Sequence, residues 1–205
     1  RHRDGHDCWL EAVAVAVDTP EGRQVVFSAR DISQRVAAEQ EREAVQAQLP
    51  DVDVRLAMRY GEPSIASQLR EADGTTQLAV LPLYPQYSAS TTATVHDAVE
   101  AALAGWRTRP ALSLLSDYHL DDGWLDALAD SVRAFWREHG RGERLLLSFH
   151  GLPVAQVRAG DPYERQCQAS ARALAQRLEL PDAEWELTYQ SRFGKAEWLQ
   201  PYLSE

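Results

Sequence analysis

Methionine is nearly absent from this chain: Met58 is the only one, and the first residue is Arg1. Translation therefore did not begin at Arg1 unless an upstream stretch was removed, and the chain is expected to be a fragment at its N-terminus. Cysteine is also scarce. Cys8 and Cys167 lie far apart and form no CxxC or Cys/His spacing, which argues against a disulfide framework or a structural zinc site and leaves two reduced thiols. No apolar run approaches the roughly 20 residues that cross a bilayer, and the opening Arg1-His2-Arg3-Asp4-Gly5-His6-Asp7 is too charged for a signal peptide. A cytoplasmic location is expected. Cations are outnumbered, with 21 Lys and Arg against 31 Asp and Glu and a formal charge of −10. That balance removes general nucleic-acid binders, whose affinity for phosphates rests on clustered Lys and Arg. What is present is a chain of 205 residues, 44% of them hydrophobic, enough to bury a core and between one and two average domains long.

The apolar runs divide the chain at Pro50. Before it, Trp9 to Val17 and Gln24 to Ala29 flank turn chemistry in Asp18-Thr19-Pro20-Glu21-Gly22, which predicts a β-hairpin. A helix with a thin apolar stripe follows from Asp31-Ile32-Ser33 to Leu49. After Pro50, short apolar strands alternate with amphipathic helices. Strands are predicted near 52–58, 77–83, 111–115, 145–149 and 185–190. One helix follows Ser90-Thr91-Thr92, with Val95, Val99, Leu103 and Trp106 at helical spacing. A second starts at Asp121-Asp122, carries Leu125, Leu128, Val132, Phe135 and Trp136 on one face, and stops before Gly140. A third begins at Asp161-Pro162, a capping residue and an N1 proline, and presents Cys167, Ala171, Leu174 and Leu178. This alternation predicts an α/β fold with mostly parallel sheets.

In such sheets a ligand lies outside the C-terminal ends of the strands. The residues there read Arg59-Tyr60-Gly61, Tyr84-Pro85-Gln86-Tyr87-Ser88, His150-Gly151-Leu152-Pro153 and Ser191-Arg192-Phe193-Gly194. In their wider setting they form AMRYGEPSI (57–65), VLPLYPQYSASTTA (80–93), LLLSFHGLP (145–153), GDPYERQC (160–167) and YQSRFGKAEWLQPY (189–202). These five ordered motifs resemble the ferrochelatase family, a lyase that inserts Fe2+ into a porphyrin in heme biosynthesis. The resemblance covers residues 46–205. It implies a chelatase-like pair of Rossmann-like domains with parallel sheets, here incomplete at both ends: 46–140 as part of the first domain and 141–205 as part of the second, with the porphyrin in the cleft between them. Residues 1–45 instead resemble the last strands of a PAS domain, in the DG…W start, the DxxG hairpin and the RDIS exit into a signalling helix. A PAS-type sensory fragment fused to a non-catalytic chelatase remnant is thus the alternative. The family also continues beyond WLQPY into a segment that carries a glutamate opposite the histidine. Glu205 is not that residue, so this chain taken alone is expected not to turn over.

Inserting a metal into a porphyrin requires two pyrrole N–H protons to leave and Fe2+ to be delivered by ligands that release it. Imidazole suits Fe2+ and changes charge near neutral pH, so one side chain serves both needs. His150, at the end of an apolar strand and inside SFHGLP, is the candidate catalytic and metal residue; a strand-end histidine bonded to backbone is the plainer alternative. His2, His6, His96, His119 and His139 are read as surface groups. Arg59 offers a planar fork to a porphyrin propionate or to a structural salt bridge. Tyr84, Tyr87 and Trp198 offer faces for stacking on the macrocycle or for packing its wall, and Ser191 ends the last strand beside them. The implied partners are protoporphyrin IX, favoured over coproporphyrin by the proteobacterial wording of the motifs, and ferrous iron. Peripheral membrane contact stays open. Some members bind an iron–sulfur cluster through a cysteine at the position of Ala89; with only Cys8 and Cys167 in the chain, no cluster is expected.

Overall fold

The computed structural model describes residues 10–19, 22–31 and 33–203, with side chains from residue 39 onward except that of Glu41. Two compact units, residues 1–71 and 72–205, make up the chain. In the first, β1 (Leu10–Thr19) and β2 (Gly22–Asp31) pair antiparallel, with Leu10 opposite Asp31 and Thr19 opposite Gly22. The hairpin thus forms where its two apolar runs place it, while Trp9, Pro20 and Glu21 lie outside the described residues. Helix α1 spans Ser33–Gln48 and stops ahead of Pro50, which has no N–H to continue it. Helix α2 (Ile65–Glu71) buries Ile65 and Leu69.

Residues 52–58 are not the strand that their alternating apolar residues predict. Their backbone groups are taken by α1 instead: Val54 N donates to Gln46 Oε1 at 2.9 Å, Gln46 Nε2 donates to Val52 O at 2.7 Å, and Arg42 Nη1 donates to Val54 O at 3.3 Å. Only Met58 makes a β-bridge, to Ser64.

The second unit holds two small parallel sheets, each a β-α-β unit, and so belongs to the α/β class. In one, β3 (Gln77–Val80) and β4 (Ala111–Leu114) flank α3 (Thr92–Leu103). In the other, β5 (Leu145–His150) and β6 (Trp185–Gln190) flank α5 (Val154–Arg158) and α6 (Tyr163–Arg177), with Leu145 opposite Trp185 and His150 opposite Gln190. Helix α4 (Asp122–His139) joins the two. Strand β3 is three residues shorter than its apolar run, and Trp106 falls beyond the end of α3. Pro162 stands just ahead of the first turn of α6 rather than inside it.

Periodicity fixes what each helix buries. Thr92, Val95, Val99 and Leu103 form the covered stripe of α3. Leu125 and Ala129 of α4 meet Leu174 of α6 and Leu178, with Leu145 and Leu147 of β5 against them. Farther along the same sheet, Leu152, Cys167, Tyr189 and Leu199 form a second cluster with Phe149 and Tyr163. Helix α4 has the cap chemistry that its sequence predicts, since Asp121 accepts a hydrogen bond from Trp124 N at 2.9 Å and Gly140 leaves the helix at φ 84°. Asp121→Ala is expected to cost about 1 kcal/mol of stability, read as a lower denaturant midpoint at unchanged m-value.

Candidate active site

Strand β5 alternates. Leu145, Leu147 and Phe149 are half-buried toward the helices, while Leu146, Ser148 and His150 are exposed on the other face. That periodicity aims the His150 imidazole away from the core, although the same residue is anchored through its backbone. Its carbonyl accepts from Tyr163 Oη at 3.0 Å, and the next amide, Gly151 N, donates to Gln190 O at 2.7 Å. His150 is therefore the last residue of its strand, held from behind and open in front. The Tyr163 contact is made to the main chain of His150, not to its ring.

Ser191 follows directly on Gln190, the register partner of His150. It turns the chain out of β6 with a positive φ of 67°. A cavity of about 330 Å³ opens at this end, lined by Tyr189, Gln190, Ser191, Arg192, Tyr202 and Leu203, with the Arg192 guanidinium 3.9 Å above the Tyr202 ring. Trp198 is only 7% exposed. Its Nε1 donates to Phe193 O at 3.0 Å and its ring lies 5.0 Å from that of Phe193. Trp198 is thus a buried ring, and Phe193, 75% exposed, is the face presented to solvent. Tyr84 is exposed and Tyr87 half-buried on the loop after β3. Arg59 belongs to the first unit and stacks on Tyr60, its guanidinium 4.6 Å from the ring centre.

Three groups hold the loop after β3 in place, a role that the sequence did not announce for any of them. Asp161 accepts from Ser88 Oγ at 2.9 Å, Ala89 N at 2.8 Å and Gln156 Nε2 at 2.8 Å on one oxygen, and from Tyr163 N at 3.0 Å on the other. Burial works to raise its pKa, but these donors outweigh burial and hold it below the ordinary carboxylate range. Gln166 Oε1 accepts from Tyr87 N at 2.6 Å, and the buried Gln86 donates to Ser170 Oγ at 2.9 Å. Asp161-Pro162 was legible as a helix start. Its hold on a loop far away in sequence was not.

Other titratable groups nearby are locked. Burial pushes the Cys167 thiol up to about 12 and raises the Tyr163 and Tyr189 phenols as well. His119 is not the surface group its loop position predicts: Asp117 Oδ1 lies 2.6 Å from its Nδ1, and its carbonyl accepts from Ser170 Oγ at 2.9 Å. Among the described residues, no cluster of three or more His, Cys, Asp and Glu side chains forms a metal cage. Nor is any helix among them long and apolar enough to cross a membrane.

The Asp161 shift carries a sign. A carboxylate with a folded pKa below its unfolded one stabilises the fold fully above the unfolded value, and loses that contribution as pH falls through the folded value. Asp161→Asn is therefore expected to remove part of the stability at pH 7 and to flatten its decline in acid, measured by denaturation across that range.

A family model described as ferrochelatase matches residues 30–205. The chain belongs to the ferrochelatase family. Among curated ferrochelatases, that of Thioalkalivibrio sulfidiphilus is 59% identical over 154 residues, covering 74% of this chain and 42% of its own length. The ferrochelatase of Nitrosococcus oceani is 47% identical over 184 residues, 89% of this chain and 49% of its own length. That of Methylococcus capsulatus is 49% identical over 185 residues, 90% of this chain and 54% of its own length. The chain spans about half the length of the curated ferrochelatases it matches.

Proposed function

We propose that the protein acts in heme biosynthesis as a lyase that inserts Fe2+ into protoporphyrin IX to give protoheme. The supporting observation is His150, fixed through its carbonyl by Tyr163 while its side chain stays exposed at the end of β5. In the reaction two pyrrole N–H bonds break, their electron pairs bind the entering Fe2+, and two protons depart. Neutral imidazole at His150 takes a proton and offers a nitrogen to the incoming metal, one role at a time. Within the second unit, Tyr84, Tyr87, Ser191 and Trp198 bind the porphyrin in this reading, Trp198 by supporting Phe193.

No iron–sulfur cluster belongs to the reading. Cluster ligation takes four thiolates, and this chain carries only Cys8 and Cys167. The cytoplasm is the location that goes with it, with any membrane contact peripheral. The second reading is a PAS-type sensory fragment over residues 1–45 fused to a non-catalytic chelatase remnant; a hairpin leading into a helix supports it, while the ferrochelatase match reaches back to residue 30 and so takes in part of that stretch.

The test has two parts: titration of this chain with protoporphyrin IX, and metal insertion by a protein of the relatives' length that carries these residues. Saturable binding together with metallation is expected. An extended protein that binds porphyrin but inserts neither Fe2+ nor Zn2+ would overturn the reading.

A further inference from the structure

We propose that Asp161 is a positioning residue that couples the tyrosine-bearing loop at residues 84–90 to His150. The geometry carries it. One carboxylate oxygen gathers Ser88 Oγ, Ala89 N and Gln156 Nε2, all within 2.9 Å. The other oxygen takes Tyr163 N at 3.0 Å, and the hydroxyl of that same Tyr163 donates to the His150 carbonyl at 3.0 Å. A single side chain thus has the loop after β3 on one side and the end of β5 on the other.

Its surroundings make the link stiff. Ser88, the loop residue it grips, is 1% exposed, and Ser88 Oγ also lies 3.0 Å from Ser90 Oγ and 3.2 Å from Gln156 Nε2. Gln156 sits on α5, which begins four residues after His150 and is itself pinned where Val154 N donates to Glu197 O at 2.9 Å. An ionised carboxylate is suited to the centre of this arrangement because it only accepts, and all four of its neighbours donate. An amide at the same place turns an NH2 group toward at least one of those donors.

The substrate side of the inference rests on the ferrochelatase reading; the coupling itself does not. In Asp161→Asn, amide hydrogen exchange at Ala89 is expected to speed up about tenfold or more, the scale of one lost charge-assisted bond, and the His150 ring resonances to move. Tyr163→Phe should move the His150 resonances and leave Ala89 protected. Faster exchange at Ala89 with His150 unmoved would overturn the coupling.

If Asp161→Asn does not fold, Ser88→Ala and Tyr163→Phe keep the charge and supply a double-mutant cycle on the His150 resonances. Non-additive shifts are expected, and additive ones refute the link. The substrate arm is a protoporphyrin titration followed by tryptophan fluorescence. Affinity about tenfold weaker in Asp161→Asn, partly restored in Asp161→Glu, is expected, and unchanged affinity overturns the positioning role. Failure of the unsubstituted chain to bind porphyrin counts against the ferrochelatase reading, while the exchange data still decide the coupling.

Discussion

In a protein of the relatives' length that carries these residues, His150→Ala is expected to slow metal insertion by about 10²–10⁴-fold, the range for loss of a positioned acid–base group, while protoporphyrin affinity and fold stability stay close to their original values. The separation of effects follows from the geometry. The imidazole is exposed, so its removal opens no cavity. The contacts that fix this position, Tyr163 Oη to the carbonyl and Gly151 N to Gln190 O, are made by backbone and survive truncation of the side chain. Steady-state rates and a porphyrin titration on the same variant check it. A rate within a few fold of the original would show that another group accepts the pyrrole protons. His150→Gln refines the result: an amide offers an acceptor oxygen but does not take up a proton at neutral pH, so a rate near that of the alanine variant points to proton transfer as the lost step.

Strand β5 was legible as a nearly continuous apolar run, β4 as a short apolar one and β6 as an alternation of apolar and polar residues, each between breakers. The helices were legible by period, since Val95, Val99 and Leu103, or Leu125, Leu128, Val132 and Trp136, each mark one stripe turned to the core, although Phe135, read on the same face, is 58% exposed. Residues 52–58 misled because alternation describes one segment and says nothing about a neighbour. Here the side chains of Gln46 and Arg42 took the backbone groups that a partner strand would have used. His119 misled for a related reason, since its carbonyl accepts a bond from Ser170, 51 residues away, that no local pattern records. The site divided along the same line. Strand ends announced His150 and Ser191, which sequence order alone places at the end of a sheet. Asp161 lies 73 residues from Ser88, and no local pattern records that contact.

Gly151→Ala is expected to disturb the same site from the backbone side, with about 1–3 kcal/mol of stability lost, as for other insertions into filled space, and with a larger proportional loss of activity. A Cβ at this position would stand 2.7 Å from Gln190 O and 3.2 Å from Trp198 Cε3. The first contact is with a backbone oxygen in register with His150, and that oxygen already accepts from Gly151 N. It has no rotamer by which to move aside. The second is with a buried ring held by its own bond to Phe193 O. Relief therefore comes from parting the ends of β5 and β6 or from displacing the Trp198 segment, and each route shifts His150 relative to Ser191 and Phe193. Thermal unfolding and metal insertion measured together on a protein of the relatives' length separate the two effects: the variant should remain mostly folded at 25 °C yet lose activity well beyond its unfolded fraction. Activity falling only in proportion to that fraction would mean that the strand ends tolerate the added methyl and that this close approach has no bearing on the site.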